Sequence, residues 1–161
     1  MNHITRTVSP EALFADYSAI LATPGVDALP VMISGNSMAP FLKHGRDTVF
    51  LSRIERPIRR GDMILYRRPS GAYILHRVYK VKDGSLTMIG DAQITLEPCI
   101  PIENAIATVT SVTRKGKLLT KKSLTWLFYE RIWLTLVPLR PFIFKLHSIL
   151  KRSARKEDGT A

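Results

Sequence analysis

The stretch that decides the fold is residues 61–81, GDMILYRRPSGAYILHRVYKV. Two runs rich in aliphatic and aromatic residues, at 63–67 and 73–81, predict β-strands. Between them, Pro69-Ser70-Gly71 favours a turn. Strands joined by a close turn, with no helical pattern between them, indicate an all-β architecture.

The same pattern continues outward from this stretch. Residues 31–33, 48–51, 86–89 and 106–114 are also predicted as strands, separated by glycine- and proline-containing turns. Residues 91–104 are interpreted as a long connection. We therefore expect a small all-β sheet or partial barrel.

Both ends of the chain predict helices. Ser9-Pro10 is typical of a helix start, and apolar residues then recur at helical spacing up to Thr23-Pro24-Gly25. After Gly116 the chain becomes aromatic and basic, and Pro138 and Pro141 divide it into two helices. The predicted division is an N-terminal helix at 1–28, a β domain at 29–116 and a helical tail at 117–161.

Composition narrows the class of protein. The chain has 161 residues, 45% of them apolar and 23% charged, which is typical of a single globular domain. Its one cysteine, Cys99, excludes a disulfide framework and a cysteine metal cluster, and we interpret it as structural. We expect neither a metal nor a cofactor.

The net charge of +11 is concentrated in the tail. Residues 114–161 contain twelve Lys/Arg against three Asp/Glu, a net +9. Basic tails attract nucleic acid or anionic lipid. The tail aromatics beside these charges favour helices lying in a membrane interface over nucleic-acid binding, and packing on the β domain or on a partner is the alternative. These aromatics are Trp126, Phe128, Trp133, Phe142 and Phe144.

No segment has the pattern of a secretory signal or a membrane span. We therefore expect a cytoplasmic protein that associates peripherally with the inner face of the membrane through its tail.

Residues 34–40, SGNSMAP, have the pattern of a catalytic serine loop. Gly35 permits a left-handed turn just before Ser37, and Pro40 ends regular hydrogen bonding just after it. A serine on such a corner presents its hydroxyl, and nearby backbone N–H groups can stabilise an oxyanion. The alternative is that the segment is simply a turn.

A base and an acid complete the hypothesis. His76 interrupts a strand of strand-forming residues, and its imidazole can take a proton from a serine hydroxyl. The alternative is a structural histidine. Asp91, and then Glu97, are carboxylates that can orient the imidazole.

In this order the motifs resemble a known family. Residues 35–40, 61–66, 76–78 and 90–91 are similar to the successive motifs of the S24/S26 serine peptidases, the type I signal peptidases and LexA-like self-cleaving repressors. The resemblance covers about residues 30–112 and implies their β fold. The histidine followed by arginine is similar to the endoplasmic-reticulum and archaeal-type branch.

The resemblance implies a role for each site residue. Ser37 is the expected nucleophile, His76 the general base and Asp91 the orienting acid, with Glu97 as the alternative acid. It also implies cleavage after small residues, with Ile33 and Met38 lining the substrate pocket. Gly35 stands where signal peptidases often have an oxyanion serine, so backbone N–H groups are expected to form the oxyanion hole.

We therefore predict a serine endopeptidase that cleaves a precursor or leader peptide. The alternative is a binding or regulatory module that keeps the fold without turnover. A third hypothesis, nucleic-acid binding through the tail, is disfavoured by the apolar aromatic character of the tail.

Overall fold

The structure is a computed structural model that describes residues 19–21 and 23–157, with side-chain surroundings up to residue 151. Eight antiparallel strands form one sheet in the order β1-β2-β7-β3-β4-β5-β6, and β8 pairs with β7. The strands are β1 (Leu29–Met32), β2 (Thr48–Ser52), β3 (Met63–Arg67), β4 (Tyr73–Lys82), β5 (Ser85–Ile89), β6 (Glu97–Pro101), β7 (Ala105–Arg114) and β8 (Lys117–Thr120).

The prediction of a mainly β fold with C-terminal helices is confirmed. All six predicted strands are present within two residues of their predicted ends, and β3 pairs with β4 from Met63↔Arg77 to Arg67↔Tyr73. Two strands were not predicted. These are β6 and β8. The segment that contains β6 was interpreted as a connection, because Pro98 and Pro101 argue against a strand. Strand β6 lies at an edge of the sheet, where proline is tolerated.

Alternation along β4 divides its side chains between two cores. Tyr73 and Leu75 pack on the face that the C-terminal helices cover, which we name the tail face. Ile74 and Val78 pack on the other side, the far face, with Ile64 and the apolar side chains of β5 and β6. Successive strand residues point to opposite faces, so His76 belongs to the far face and Arg77 to the tail face.

The C-terminal segment is helical in four pieces. They are α1 (Leu124–Leu127), a π-helical segment (Phe128–Trp133), a 3-10 turn (Val137–Leu139) and α2 (Arg140–Glu157). Pro138 lies in the 3-10 turn and Pro141 in the first turn of α2, where a missing N–H costs nothing. Since β8 ends at Thr120, the sheet continues four residues beyond the predicted domain boundary at residue 116.

The tail aromatics separate into two groups. Trp126 and Trp133 are buried in the core of the tail face, and Phe144 is half-buried against it. Phe128 and Phe142 are exposed. The first half of the tail therefore packs on the β domain. This packing is one of the two alternatives that the sequence left open for the tail.

The predicted N-terminal helix lies mostly outside the described residues. Within them, residues 19–21 are helical and Leu21 is buried in the core of the tail face. None of the described helices has both the length and the apolar character needed to cross a lipid bilayer.

Candidate active site

The serine loop, residues 33–47, connects β1 to β2. Its ends are joined by hydrogen bonds between Ile33 N–H and Asp47 O (2.9 Å) and between Gly45 N–H and Ile33 O (2.9 Å). Phe41 and Leu42 are fully buried in the core of the tail face. These apolar side chains anchor the loop, and Ser37 remains half-buried at its start.

Asp47 fixes the end of the serine loop. Its buried carboxylate accepts the Lys43 N–H (2.9 Å) and two N–H groups of Arg46 (2.6 and 2.7 Å). It also accepts the N–H of Lys115 (3.3 Å), in the turn between β7 and β8. The loop is therefore held both by its own backbone and by a neighbouring hairpin.

Gly35 has the conformation that the sequence predicts, with φ of +88° in the region that favours glycine. Its N–H donates to Nδ1 of His44 (3.1 Å), so His44 helps to hold the loop. Among the described residues, neither Ser37 N–H nor Met38 N–H donates to a protein acceptor. These two N–H groups are therefore the candidates for an oxyanion hole.

The backbone of Ser37 is held against the segment after β5. The Ser37 carbonyl accepts the N–H of Ala92 (2.8 Å). A Cβ atom on Gly90 would lie 2.5 Å from the same carbonyl oxygen, so only glycine allows this approach. Arg77 pairs with Ile89, and extending that register by one residue places Gly90 beside His76.

A small cavity connects the serine loop to the strand that carries His76. Its volume is about 90 Å³, and its lining includes Ile33, Ser37, Met38 and Ile74. The lining also includes Tyr73 and Leu75 of the tail face, and His76 is not part of it. The structure therefore places Ile33 and Met38, the predicted substrate-binding residues, beside Ser37, although both are buried.

His76 is only 2% exposed, and its described polar neighbours lie on the far face. Its Nδ1 is 3.3 Å from Tyr66 Oη and 3.9 Å from Glu97 Oε2. Tyr66 Oη donates to Glu97 Oε2 at 2.7 Å. Arg68 donates to both oxygens of Glu97, at 2.5 and 2.6 Å, and so fixes the carboxylate.

These contacts determine the tautomer of the neutral imidazole. The single Tyr66 hydroxyl proton is donated to Glu97, so the Tyr66 oxygen accepts from Nδ1–H of His76. The lone pair is then on Nε2. Among the described residues, Nε2 has no hydrogen-bond partner. A neutral imidazole with a free Nε2 is the form that acts as a base.

Burial and charge shift the pKa of each group in this cluster. Burial lowers the pKa of His76 from 6.5 to about 4, while Glu97 opposes the shift and Arg68 adds to it. Burial raises the pKa of Tyr66, and its hydrogen bond to Glu97 raises it further. Burial favours a higher pKa for Glu97, but hydrogen bonds from Arg68 and Tyr66 outweigh it, so the net shift is downward. At neutral pH the cluster holds a neutral histidine beside a carboxylate.

Asp91 is paired with Arg77 rather than with His76. Arg77 Nε and Nη2 donate to the two oxygens of Asp91 at 3.1 and 3.0 Å, and both side chains are fully buried. Arg77 Nη1 donates to Gly61 O (3.0 Å). The acid beside His76 is Glu97, so the expected orienting role of Asp91 is replaced by an ion pair on the tail face.

Sequence reasoning missed two members of the His76 cluster, Tyr66 and Arg68. Tyr66 lies two residues after Ile64, which pairs with His76 across β3 and β4, so both side chains point to the far face. That register was a usable signal for Tyr66. Arg68 follows the end of β3 and offers no comparable signal.

The Gly61-Asp62 pair has a structural role. Gly61 N–H donates to Val78 O (2.8 Å), and a Cβ on Gly61 would lie 2.6 Å from the side chain of Glu130. Asp62 accepts from Arg59 N–H (2.9 Å) and from Lys121 Nζ (3.1 Å). The pair joins the start of β3 to β4 and to the helical tail.

The helical tail holds the segment that contacts Ser37. Trp133 Nε1 donates to Asp91 O (2.8 Å). The buried guanidinium of Arg140 donates to Gly90 O (2.9 Å) and Gln93 O (2.8 Å), and it lies 4.9 Å from the centre of the Trp133 ring. The geometry of the 90–93 segment therefore depends on the tail as well as on the sheet.

The Ser37 hydroxyl makes no hydrogen bond to His76 or to any other described residue. The two backbones are linked through Gly90, but the serine loop is anchored in the core of the tail face, whereas the His76 side chain lies on the far face. Among the described residues, neither the Ser37 hydroxyl nor Nε2 of His76 has a hydrogen-bond partner. Catalytic hydrogen bonds are often formed only when substrate is bound.

Comparison with family models, with curated proteins and with solved structures gives no match to this chain.

Proposed function

We propose that this protein is a serine endopeptidase with Ser37 as nucleophile and His76 as general base. The observation that carries the proposal is the chain of contacts from Glu97 through Tyr66 to Nδ1 of His76, which leaves Nε2 without a hydrogen-bond partner among the described residues. The His76 backbone is connected to the serine loop through Gly90. The motif order that resembles signal peptidases and self-cleaving repressors supports it.

The proposed reaction is acyl transfer. Ser37 Oγ attacks the substrate carbonyl carbon while its proton passes to Nε2 of His76. The N–H groups of Ser37 and Met38 donate to the oxyanion. When the C–N bond breaks, His76 returns the proton to the leaving amine, and an acyl-enzyme remains on Ser37. Water then attacks the ester and gives its proton to His76, which returns it to Ser37 Oγ as the ester bond breaks and the peptide acid leaves.

Glu97 and Tyr66 are positioning residues in this mechanism. Tyr66 holds Nδ1 in its protonated form, and Glu97 fixes the direction of the Tyr66 hydroxyl. The negative charge of Glu97 also stabilises the imidazolium as it forms. This charge counters the burial that lowers the pKa of His76 to about 4.

The proposed substrate is a peptide with a small residue at the cleaved bond. The cavity beside Ser37 has a volume of only about 90 Å³, which favours a small side chain, and Ile33 and Met38 are part of its lining. An extended segment of a precursor or leader peptide would fit beside the sheet, as peptides often add to strands. We place this activity in the cytoplasm.

Cleavage of a peptide library tests the proposal. We expect the parent protein to cut after alanine or glycine, and we expect mass spectrometry to find no such products with Ser37→Ala. Ser70→Ala, an exposed serine in the β3–β4 turn, is the matched control and should cut normally. Products that are unchanged in Ser37→Ala would exclude Ser37 as the nucleophile.

The second candidate is a peptide-binding module without turnover. It is favoured by the missing hydrogen bond between Ser37 and His76 and by Gly35 standing where an oxyanion serine is often found. It predicts that the parent binds library peptides and releases them intact. Ser37→Ala would then leave peptide binding unchanged.

A further inference from the structure

We propose that α2 docks on the surface of an anionic lipid bilayer through an exposed apolar stripe. The stripe consists of five large side chains, each between 50% and 72% exposed: Leu139, Phe142, Leu146, Ile149 and Leu150. Eight of the fifteen exposed large apolar side chains in the described part of the chain lie between residues 124 and 150, so the apolar surface is concentrated in the tail.

Four members of the stripe lie on one side of α2, and Leu139 lies in the 3-10 turn directly before it. Phe142, Ile149 and Leu150 each lie three or four residues from Leu146, which brings them to the same helical face. Arg140 and Phe144 belong to the opposite side, where Arg140 is buried and Phe144 packs on the core of the tail face. Ile143, at the border between that side and the stripe, also packs on this core. Because α2 already packs through that side, the exposed stripe is not needed to hold the helix on the protein.

The charges near the stripe favour anionic lipid over a second copy of the chain. Lys145, beside the stripe, and Lys151, directly after Leu150, are exposed. The sequence of α2 contains six basic residues and one acidic residue, Glu157. Two copies meeting stripe to stripe would bring these like charges together. Anionic headgroups neutralise them while the acyl region accepts the apolar side chains.

Stripe variants can be separated from the proposed active site. The stripe side chains point away from Arg140, which binds the carbonyls of Gly90 and Gln93. Replacing Phe142 and Leu146 therefore leaves the contacts to the 90–93 segment in place. The experiments can therefore show that lipid binding is absent while peptide cleavage is present, or that cleavage is absent while lipid binding is present.

Co-sedimentation with vesicles tests the proposal on the full chain. We expect the parent to sediment with phosphatidylcholine vesicles that contain phosphatidylglycerol, and to remain in solution with phosphatidylcholine alone. The double variant Phe142→Ser/Leu146→Ser should bind at least about tenfold more weakly, since two large apolar side chains no longer enter the bilayer. Lys145→Glu/Lys151→Glu should also weaken binding.

The matched control is Leu118→Ser. Leu118 is 62% exposed on β8, and Leu119 next to it packs on the core of the tail face, so Leu118 points away from the helices. This variant should bind like the parent. Circular dichroism and thermal unfolding should show that every variant is folded.

Three results would overturn the proposal. The first is that the folded parent protein does not bind vesicles that contain phosphatidylglycerol, whether or not it binds DNA. The second is equal vesicle binding by the parent and the stripe variant. The third is a dimer in lipid-free solution that dissociates when Phe142 and Leu146 are replaced, because a second copy would then be the occupant.

Discussion

His76 and Arg77 are neighbours on β4, but they belong to two different polar clusters on opposite faces of the sheet. On the tail face, Arg77 and Asp91 form an ion pair in which both side chains are 0% exposed. On the far face, His76 is next to Glu97, which is 24% exposed. The comparison shows that one strand can carry a sealed structural pair and, beside it, a buried histidine whose acidic neighbour, Glu97, is partly exposed.

The two clusters differ in what a missing partner would cost. A fully buried carboxylate without its guanidinium has no water to replace it, so the Arg77–Asp91 pair is expected to act on stability. Glu97 is held by Arg68 near the surface, where water can replace a lost contact. Glu97 is therefore expected to act mainly through His76.

The largest expected effect is that of Asp91→Asn on stability. The substitution keeps the shape of the side chain and leaves the Arg77 charge buried without a counter-charge, so the free energy of unfolding should fall by about 3–5 kcal/mol. Urea denaturation followed by tryptophan fluorescence measures it.

The control for this prediction is Asp83→Asn. Asp83 forms an exposed pair with Lys82, and asparagine tolerates its left-handed φ of 47°. Its effect should stay within about 0.5 kcal/mol. If Asp91→Asn were as mild as this control, the sealed pair would not have the structural role assigned to it.

The second largest expected effect is the contribution of His76 to the pH dependence of the free energy of unfolding. The unfolded histidine binds a proton below about pH 6.5, and folded His76 binds it only below about 4, because burial lowers its pKa. Between these values the unfolded state holds more protons, so stability falls as the pH falls. The loss from this residue can reach about 3 kcal/mol at low pH.

Parallel denaturation of the parent and of His76→Gln measures this contribution. The stability difference between the two proteins should be constant above pH 7 and should shift against the parent between about pH 6.5 and pH 4. A pH-independent difference would mean that His76 titrates normally and lies outside a low-dielectric site.

Gly90→Ala tests the segment that lies between the two clusters. A Cβ at this position would lie 2.5 Å from Ser37 O, so the serine loop or the 90–93 segment must move. We expect a stability loss of about 1–3 kcal/mol, as for other overpacked sites. Library cleavage should fall with it.

Gly84→Asn is a suitable comparison, because a Cβ on Gly84 meets no atom within 4 Å and asparagine accepts its left-handed φ. It should unfold and cut like the parent. Normal cleavage by Gly90→Ala would contradict a close approach of Gly90 to Ser37.

The smallest expected effect is that of Tyr66→Phe on activity. The ring stays packed, but His76 loses the oxygen that accepts from Nδ1–H, and Glu97 is too far at 3.9 Å to replace it directly. We expect kcat for library cleavage to fall by about tenfold, with little change in KM, since the tautomer of the base is no longer fixed.

The dependence of kcat on pH distinguishes positioning from packing. Without the Tyr66 oxygen, the inflection assigned to His76 should move, whereas a packing defect would lower kcat equally at every pH. Tyr79→Phe is the matched control, because the Tyr79 hydroxyl has no hydrogen-bond partner among the described residues. Equal profiles for all three proteins would remove Tyr66 from the mechanism.

The sequence predicted the strands and the serine loop well because their signals are local. Alternating apolar residues and turn residues lie within a few positions of one another, and they specify the β3–β4 pairing. Gly35 likewise has the left-handed φ that a local turn argument predicts.

The sequence could not distinguish Asp91 from Glu97, because the difference depends on β6. The chain turns back after residue 91, and β6 pairs Glu97 with Met88, which carries Glu97 to the far face. Because proline is unfavourable in most strands, Pro98 prevents the sequence pattern from predicting β6. Strand β6 thus decides which of the two acids lies beside His76, and β6 has no clear signal in the sequence.

The tail was uncertain for a similar reason. Trp126 and Trp133 have the same sequence character as Phe142, and only distant residues such as Phe41 determine that the tryptophans are buried. Amphipathic spacing identifies a helix face but not its occupant.

The most direct test of the central claim is the rate at which a phosphonate probe modifies Ser37, measured against pH by intact-mass spectrometry. We predict a single adduct on Ser37, with a rate that rises through an inflection near pH 4 and an inflection that His76→Gln removes. No adduct on Ser37, or an unchanged profile in His76→Gln, would contradict the assignment of His76 as its base.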